Sequence, residues 1–525
     1  MVTPWRIQLQ NIDRSQTTTA PVGTVGAMVI RASRGPSIPV YISTGDEARI
    51  LKLYGKPSAD YPDVWEAIQF NRGYGIWLSA PFTDTDTYGA GLLKSTGSAS
   101  VTGGLTEAEV EGYTFAAVTD YALITTKSPA NNYKLAVKTT YDTTNEVFVT
   151  VVAEDVKGTW VPKETLRYSF TPGAKDGYGK IVYYENIFAQ SDLVLCVKNP
   201  NMDEADPIFV DDTAYVELAG SDRSGTVTGT EVTAAWNQFK NINKYPFQIA
   251  MDNTSFNAIP TVFETLRSSY QTFSDYLYPV AMGVSGSDAI TARLATGPDN
   301  TGLKMFINHF ATTDTYNGGY FWTSWIGRVG YQYAIMDDVF NGLAPMWIND
   351  AQGHGGQLGS GVASAGSEWD FSEDQLQLLD AAGINPIVID PNFGVMIKSQ
   401  KTMKSPASTS DYSYVDRSRL FDYIKKIIIE QVLIYYIGKK NNATTRNEAR
   451  GRGEQILAPI LGRGLLDQYI VKCDEENNNA NVLAESKMVY EVGVRVVPSA
   501  ELIVFNFVNA GQAITVTEAI AGGTV

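Results

Sequence analysis

Two cysteines in 525 residues, Cys196 and Cys473, exclude a disulfide framework and a Cys-based metal cage. Both read as buried thiols of a reducing compartment, with a single bridge within or between chains left open. Histidine is as scarce: a hydrolytic triad would have to take His309 or His354 as its base, since there is no other. Charged residues make up 19%, below the roughly 25% of an ordinary domain. They are also unbalanced, 41 Lys+Arg against 57 Asp+Glu, for a formal charge of −16. So acidic a chain lacks the cationic footprint that binding a phosphate backbone requires, which excludes nucleic acid as a partner. Long hydrophobic runs are missing too. The most apolar stretch, Ile427 to Ile437, is broken by Glu430 and Gln431 and is too short to span a bilayer, so no direct membrane insertion is expected. Met1 to Arg14 has no apolar core of the kind a secretory signal carries. The remaining class is a soluble protein made in the cytoplasm.

What is present suffices for large cores: 44% hydrophobic residues, with 29 Tyr, 21 Phe and 9 Trp, in a length that suits three or four domains. Thr, Ser, Asn, Gly and Tyr stand in for charge, a composition common where subunits press together, because interface cores exclude charge and favour aromatics. Trp5, Ile7 and Leu9 alternate with Arg6, Gln8 and Gln10 as a half-buried strand does, and a polar stretch from Asn11 to Pro21 follows. A terminal strand set apart by a linker needs a partner sheet elsewhere. Gly26 to Ile30 and Ile38 to Ser43 read as strands around the turn Arg34-Gly35-Pro36. Thr44 and Glu47 have capping-box spacing ahead of a helix over 48–54; a helix from Pro62 and a buried strand, Ile76 to Leu78, complete a βαβ-like piece. From 82 to 240, short alternating runs such as Tyr133 to Tyr141 and Val147 to Val152 predict one or two β-rich domains. A strand–helix–strand pattern returns over 245–284, and a helix over 374–382, ended by Gly383, leads into an apolar strand at 385–390. The spacing predicts the longest helix over 416–437 and another over 447–461. Met488, Tyr490, Val492, Val494 and Val496 alternate as a strand, and a further strand over 502–508 is apolar on both faces except at Asn506. Both ends of the chain carry strand-competent arms.

Motifs for chemistry are missing. No Gly-Lys pair has phosphate-loop spacing, and the glycine-dense stretch Gly353 to Gly366 fails the dinucleotide fingerprint because residue 364 is Ser. Val362 to Gly366 misses a nucleophile elbow at its first position, so the stretch reads as a mobile loop. A serine hydrolase using Ser364 and His354 is the least favoured reading, since His354 sits among glycines that cannot hold an imidazole. His309 reads as packed or surface. Asp203, Glu204, Asp206, Asp211 and Asp212 cluster without EF-hand spacing and read as a solvated loop. The expectation is a chain with no catalytic residue, no cofactor and no metal.

The block Arg34-Gly35-Pro36, Ile42-Ser43-Thr44, Glu47, Tyr54-Gly55 and Pro57 resembles the N-terminal signature of contractile tail sheath proteins of myovirus-type phages. The later half resembles that family more strongly. Leu378-Leu379-Asp380 with Gly383-Ile384-Asn385, Arg417 to Leu420 with Tyr423-Ile424, and Gly464-Leu465-Leu466 through Val471-Lys472-Cys473-Asp474 follow its order and spacing. Ile397 to Thr402 departs from it, standing where the family carries a Trp-Gly-Ala-Arg-Thr-like segment. The resemblance covers about 26–78 and 374–507. It implies an α+β multidomain protein: a mixed α/β core built from both N- and C-terminal parts, with inserted β-rich outer domains and extended terminal strand arms. The expected divisions are an arm at 1–24, core at 25–81, insertion at 82–244, a middle α/β domain at 245–373, core again at 374–500, and a last strand and arm at 501–525. The resemblance further implies a structural subunit that polymerises as stacked hexameric rings around a tail tube and contracts to drive the tube through the host envelope. Its partners would be further copies, the tail tube protein, and baseplate and tail terminator proteins; its place would be the virion tail, after assembly in the host cytoplasm. The sheath of a phage-derived injection machine is the same function in another setting. Trp5, Ile7, Leu9, Ile503, Phe505 and Phe507 are the expected inter-subunit strand residues. Arg417, Arg419, Lys425 and Lys426 are the candidate tube-facing group, because cations on so acidic a chain need a local reason, with a solvated helix face weighed equally. The rival is a surface-layer or adhesin-type assembly protein, suggested by the Thr-rich acidic middle.

Overall fold

The computed structural model describes residues 24–130, 133–176, 179–202, 209–223, 225–297, 299–340, 356–404 and 410–498. The fold is mixed α/β with several separate sheets, in two compact units that divide between Tyr423 and Ile424.

The first unit is organised on a nine-stranded sheet. In chain order its strands are β1 (Val25–Val29), β2 (Val40–Ile42), β3 (Gly75–Ser79), β4 (Ile249–Asp252), β5 (Asp275–Pro279), β6 (Leu303–Ile307), β7 (Gln357–Gly359), β8 (Ile384–Asp390) and β9 (Gly394–Ile397). Across the sheet they lie β7-β9-β8-β6-β5-β4-β1-β3-β2. The run from β8 to β3 is parallel, and β2, β9 and β7 are antiparallel edges. Parallel strands carry helices on both faces, which is why β1 and β5 are buried at every position and show no polar alternation. Met28 enters one core with Phe70, Met251 and Trp325, while its neighbours Ala27 and Val29 enter the other with Trp236, Phe263 and Tyr276. The parallel order reverses between β1 and β4, the mark of a doubly wound sheet. Two helices meet over the first core, α1 (Asp63–Asn71) and α2 (Ile326–Phe340). Their backbones touch: a Cβ on Gly327 would lie 2.1 Å from the Glu66 carbonyl oxygen, so only glycine fits there.

Between β3 and β4 the chain builds two four-stranded antiparallel sheets, one ending in Gly97–Leu105 and the other in Thr159–Tyr168. They share a core centred on Phe148, whose ring packs against Tyr121, Tyr168, Phe170 and Phe209.

Three local expectations are corrected. The helix Glu47–Tyr54 is capped by Asp46, whose carboxylate accepts from Arg49 N at 3.1 Å, and not by Thr44; Asp caps as well as Thr and stands directly before the helix. The stretch read as a mobile loop contains β7 and the strand Val362–Ser367, which pairs with Phe310–Thr313; Arg328 Nη1 fixes the turn between them through the carbonyls of Leu358 and Ser360, at 3.1 and 2.7 Å. Helix α4 (Val415–Gln431) follows α3 (Glu373–Ala381) and stops short of the predicted 437, because the chain passes after Val432 into a tighter 3-10 turn, Leu433–Tyr436. The longest helix among the described residues is instead α5 (Ala443–Gly462), started by Asn442, whose side chain accepts from Thr445 N at 2.9 Å.

In the second unit α5 packs on a two-stranded antiparallel sheet, β10 (Leu466–Lys472) and β11 (Glu491–Val496). Tyr490 Oη donates to the Ala449 carbonyl at 3.2 Å, and the missing side chain of Gly453 makes room for the phenol. Asn478 closes the connection by pairing with both the N–H and the C=O of Val489, at 2.8 and 2.9 Å.

Candidate assembly surface

A doubly wound sheet takes ligands in the crevice outside the carboxyl ends of the strands where its order reverses. Here that crevice, beyond β1 and β4, is filled by the chain itself. Arg31, just past β1, grips Asp63 of α1 with Nε and Nη2 at 2.9 and 2.8 Å, and Asn253, just past β4, donates to the same carboxylate at 2.7 Å. Asp63 in turn holds the Arg31 guanidinium above its ordinary range. Glu66 lies at the start of α2, accepting from Trp325 N and Gly327 N, both at 2.8 Å, and from the Thr323 hydroxyl. That is where an anion would sit at a helix N-terminus. Burial pushes the Glu66 carboxyl up to about 7 in spite of these donors, and pushes Asp252, the last residue of β4, up to about 6. Among the described residues no group of three or more side chains could hold a metal ion, and no helix is long and apolar enough to cross a membrane.

The four candidate tube-facing cations are placed differently from one another. Arg419 is only 7% exposed: its Nε donates to Asp275 Oδ2 at 2.8 Å, and the fully buried Lys304 ammonium reaches the other oxygen. Burial alone would raise the Asp275 carboxyl, but Lys304 and Arg419 hold it below the usual carboxylate range. Arg417 stacks over Tyr414 at 4.0 Å and pairs with Asp411 at 2.7 Å. The local reason for both arginines is thus an internal acid, and the charge of Arg419 is committed inside the fold. Lys425 is exposed and Lys426 half-buried.

The residues weighed for chemistry are scattered. His309 is buried with Nδ1 2.9 Å from Glu368 Oε2; Ser364 is exposed on its strand, and His354 lies outside the described residues. Asp211 is exposed and Asp212 half-buried, and both are tied to the fold. Their carboxylates accept from the backbone N–H groups of Tyr141, Thr139 and Ser98 at 2.7–2.8 Å, tying neighbouring strands together, while 203–208 lie outside the described residues. Cys196 and Cys473 are free thiols.

The open feature is the sheet of the second unit. Among the described residues β10 and β11 pair only with each other, so each keeps an outer edge of unpaired N–H and C=O groups. A lone two-stranded sheet is marginal in water; here α5 covers one face, and the other, with Gln468, Ile470, Glu491 and Arg495, is exposed. Ile470 is 64% exposed. The expected arm residues Trp5, Ile7, Leu9, Ile503, Phe505 and Phe507 lie outside the described residues.

Residues 407–509, which contain α5, β10 and β11, match the family model of the phage tail sheath C-terminal domain. Curated tail sheath proteins are similar to the chain: that of Salmonella phage ViI is 27% identical over 157 residues, 30% of this chain and 24% of that protein. That of Vibrio phage KVP40 is 28% identical over 195 residues, 37% of this chain and 28% of that protein. The chain thus spans about a quarter of the length of the curated relatives it matches. A solved sheath tail protein from Desulfitobacterium hafniense, 12% identical, shares the fold with a TM-score of 0.51 over 90% of this chain and 97% of that one. Of the open sheet, β11 was legible as the alternating run from Met488 to Val496, while its partner β10 was not, because it breaks alternation: Leu466 and Val471 are buried, Asp467 and Gln468 both exposed. The buried charges left a faint signal, single ionisable residues such as Lys304 and Asp252 within or ending an apolar run.

Proposed function

We propose that this chain is the sheath subunit of a contractile phage tail or a phage-tail-like injection machine, a structural protein and not an enzyme. Copies assemble as stacked sixfold rings around a tail tube, held by strand exchange between neighbours, and contract to drive the tube through the host envelope. The tail tube, baseplate and tail terminator proteins are its partners, and the virion tail is its place. The observation that supports this reading is the pair of open edges on β10 and β11 inside the sheath C-terminal domain. An extended arm of another copy, carrying Trp5, Ile7 and Leu9 or Ile503, Phe505 and Phe507, would add as a strand, with main-chain pairing giving affinity and alternate side chains giving register. Arg417, Lys425 and Lys426 are the tube-facing candidates that keep their heads near the surface. Contraction needs two packings of the same subunits separated by a free-energy gap, with no hydrolysis step.

Negative-stain electron microscopy of the full chain, beside a chain lacking residues 1–20, tests this. Hollow striated tubes from the full chain, lost on truncation, are the expected result. Tubes from both would remove the arm from the account, and a monodisperse monomer from the full chain would overturn the sheath.

A further inference from the structure

The two units share charge unevenly. Residues 424–525 carry eleven Lys+Arg and eleven Asp+Glu, so the whole of the −16 falls on the residues before Ile424. Within the neutral unit, cations gather beside uncovered apolar side chains. The Lys439 ammonium lies 4.6 Å over the Tyr436 ring, and the Arg452 guanidinium lies over the rings of Tyr435 and Tyr436 at 5.3 and 5.6 Å. Next to them Ile434, Tyr435 and Ile437 are 57%, 58% and 81% exposed, and Lys440 is exposed as well. Aromatic and aliphatic groups with arginine, rimmed by lysine, make the composition of a docking surface and not of a face selected for water.

Such a patch fits an acidic surface that has an apolar group of its own, and the first unit has one. From residue 305 to 397 the sequence holds ten Asp and Glu; Lys398 and Lys401, just beyond, pair with Asp390 and Asp380, and the one cation within, Arg328, has its guanidinium over the rings of Trp325 and Trp65 at 4.1 and 4.9 Å. Helix α3 presents this excess. Asp370 before it and Glu373 and Asp374 in its first turn are exposed, and Leu378, one turn on from Asp374 along the same face, is 61% exposed.

We propose that the patch of Ile434, Tyr435, Ile437, Lys439, Lys440 and Arg452 docks on the acidic face of α3 in a second copy of this chain. Patch and acceptor are different surfaces, so the contact is heterologous: it repeats from copy to copy and builds rings or an open helical stack instead of closing at a dimer. It rests on the self-assembling reading above, but is separate from strand exchange at β10 and β11. Opposite charge steers the encounter and sets the register, while the apolar centre holds the pair, so added salt weakens the contact.

Two full-length variants test it by sedimentation velocity at low salt, with circular dichroism as a check on folding: Lys439→Glu with Lys440→Glu, and Glu373→Lys with Asp374→Lys. Each alone is expected to associate at least about tenfold more weakly than the unaltered chain, because like charges then face each other. Mixed in equal amounts the two should associate again, since each supplies one native and one reversed surface and every contact between unlike variants is complementary. A single chain with all four substitutions should recover in the same way. Association unchanged in either variant overturns the proposal. Association lost in both and not restored on mixing also overturns it, because the patch and the acidic face of α3 then do not meet each other. Tubes that form unchanged with reversed charges sink this inference alone; an unaltered chain that never associates sinks the sheath reading with it.

Discussion

A carboxylate that meets three donors and no water keeps an unusual proton affinity, and Glu66 is such a group. Its pKa of about 7 lies above the roughly 4.3 of an unfolded Glu, so its native state binds the proton more tightly. The stability it contributes is therefore full below about pH 4.3 and is lost as pH rises through 7. Urea unfolding of the wild type and of Glu66→Gln from pH 5 to pH 8 should show the wild-type advantage shrinking by about 3 kcal/mol, whereas a constant difference would contradict the assignment. Asp252, raised to about 6, acts in the same sense. The Asp275 cluster behaves otherwise. Asp275→Asn leaves Lys304 and Arg419 buried without their shared anion and should cost about 3–5 kcal/mol, read as a fall in urea midpoint at neutral pH. Both sites are single residues in apolar surroundings, and neither could be read as a pair from the sequence, since 29 and 144 positions separate Asp275 from its partners.

Elements were legible where periodicity is strong. The runs at Gly26 to Ile30 and Ile76 to Leu78 became β1 and β3, and the helix ended by Gly383 became α3, with Gly383 at φ +74°. Elements whose limits are set by one side chain or by a distant partner were misread. Asp46 displaced Thr44 as a cap, the 3-10 turn Leu433–Tyr436 cut α4 short, and pairing with Phe310–Thr313 made a strand of a glycine-rich stretch. The join between α5 and its sheet depends on an absence of atoms. A Cβ on Gly453 would meet Tyr490 Oη at 1.9 Å, so Gly453→Ala should push the phenol off the Ala449 carbonyl and cost about 1–3 kcal/mol in spite of better helix propensity. Hydrogen exchange should show faster opening along β10 and β11, and unchanged protection there would mean that the ring has room to move.

At the scale of the whole molecule the sequence carries composition and charge but not topology. That β4 lies against β1 follows from pairings between residues more than two hundred positions apart, which no local pattern encodes. The candidate surface was half legible: the strand that became β11 was visible, its partner β10 was not, and the expected arms lie outside the described residues. The division at Tyr423 and Ile424 predicts two calorimetric transitions, with Glu66→Gln moving only one and Gly453→Ala only the other. A single transition shifted by both would mean that the units unfold together.

The open edges of β10 and β11 also have a consequence in time. A ribosome makes the chain from its first residue onward at about 5–20 residues per second, and folded parts form as they emerge. Every strand of the nine-stranded sheet leaves the exit tunnel before Leu466 is joined to the chain. The open edges of β10 and β11 are therefore finished after the nine-stranded sheet, whose first strands have by then had about 20–90 s and whose last about 3–14 s to pair, and crowded polysomes are spared premature cross-pairing at those edges.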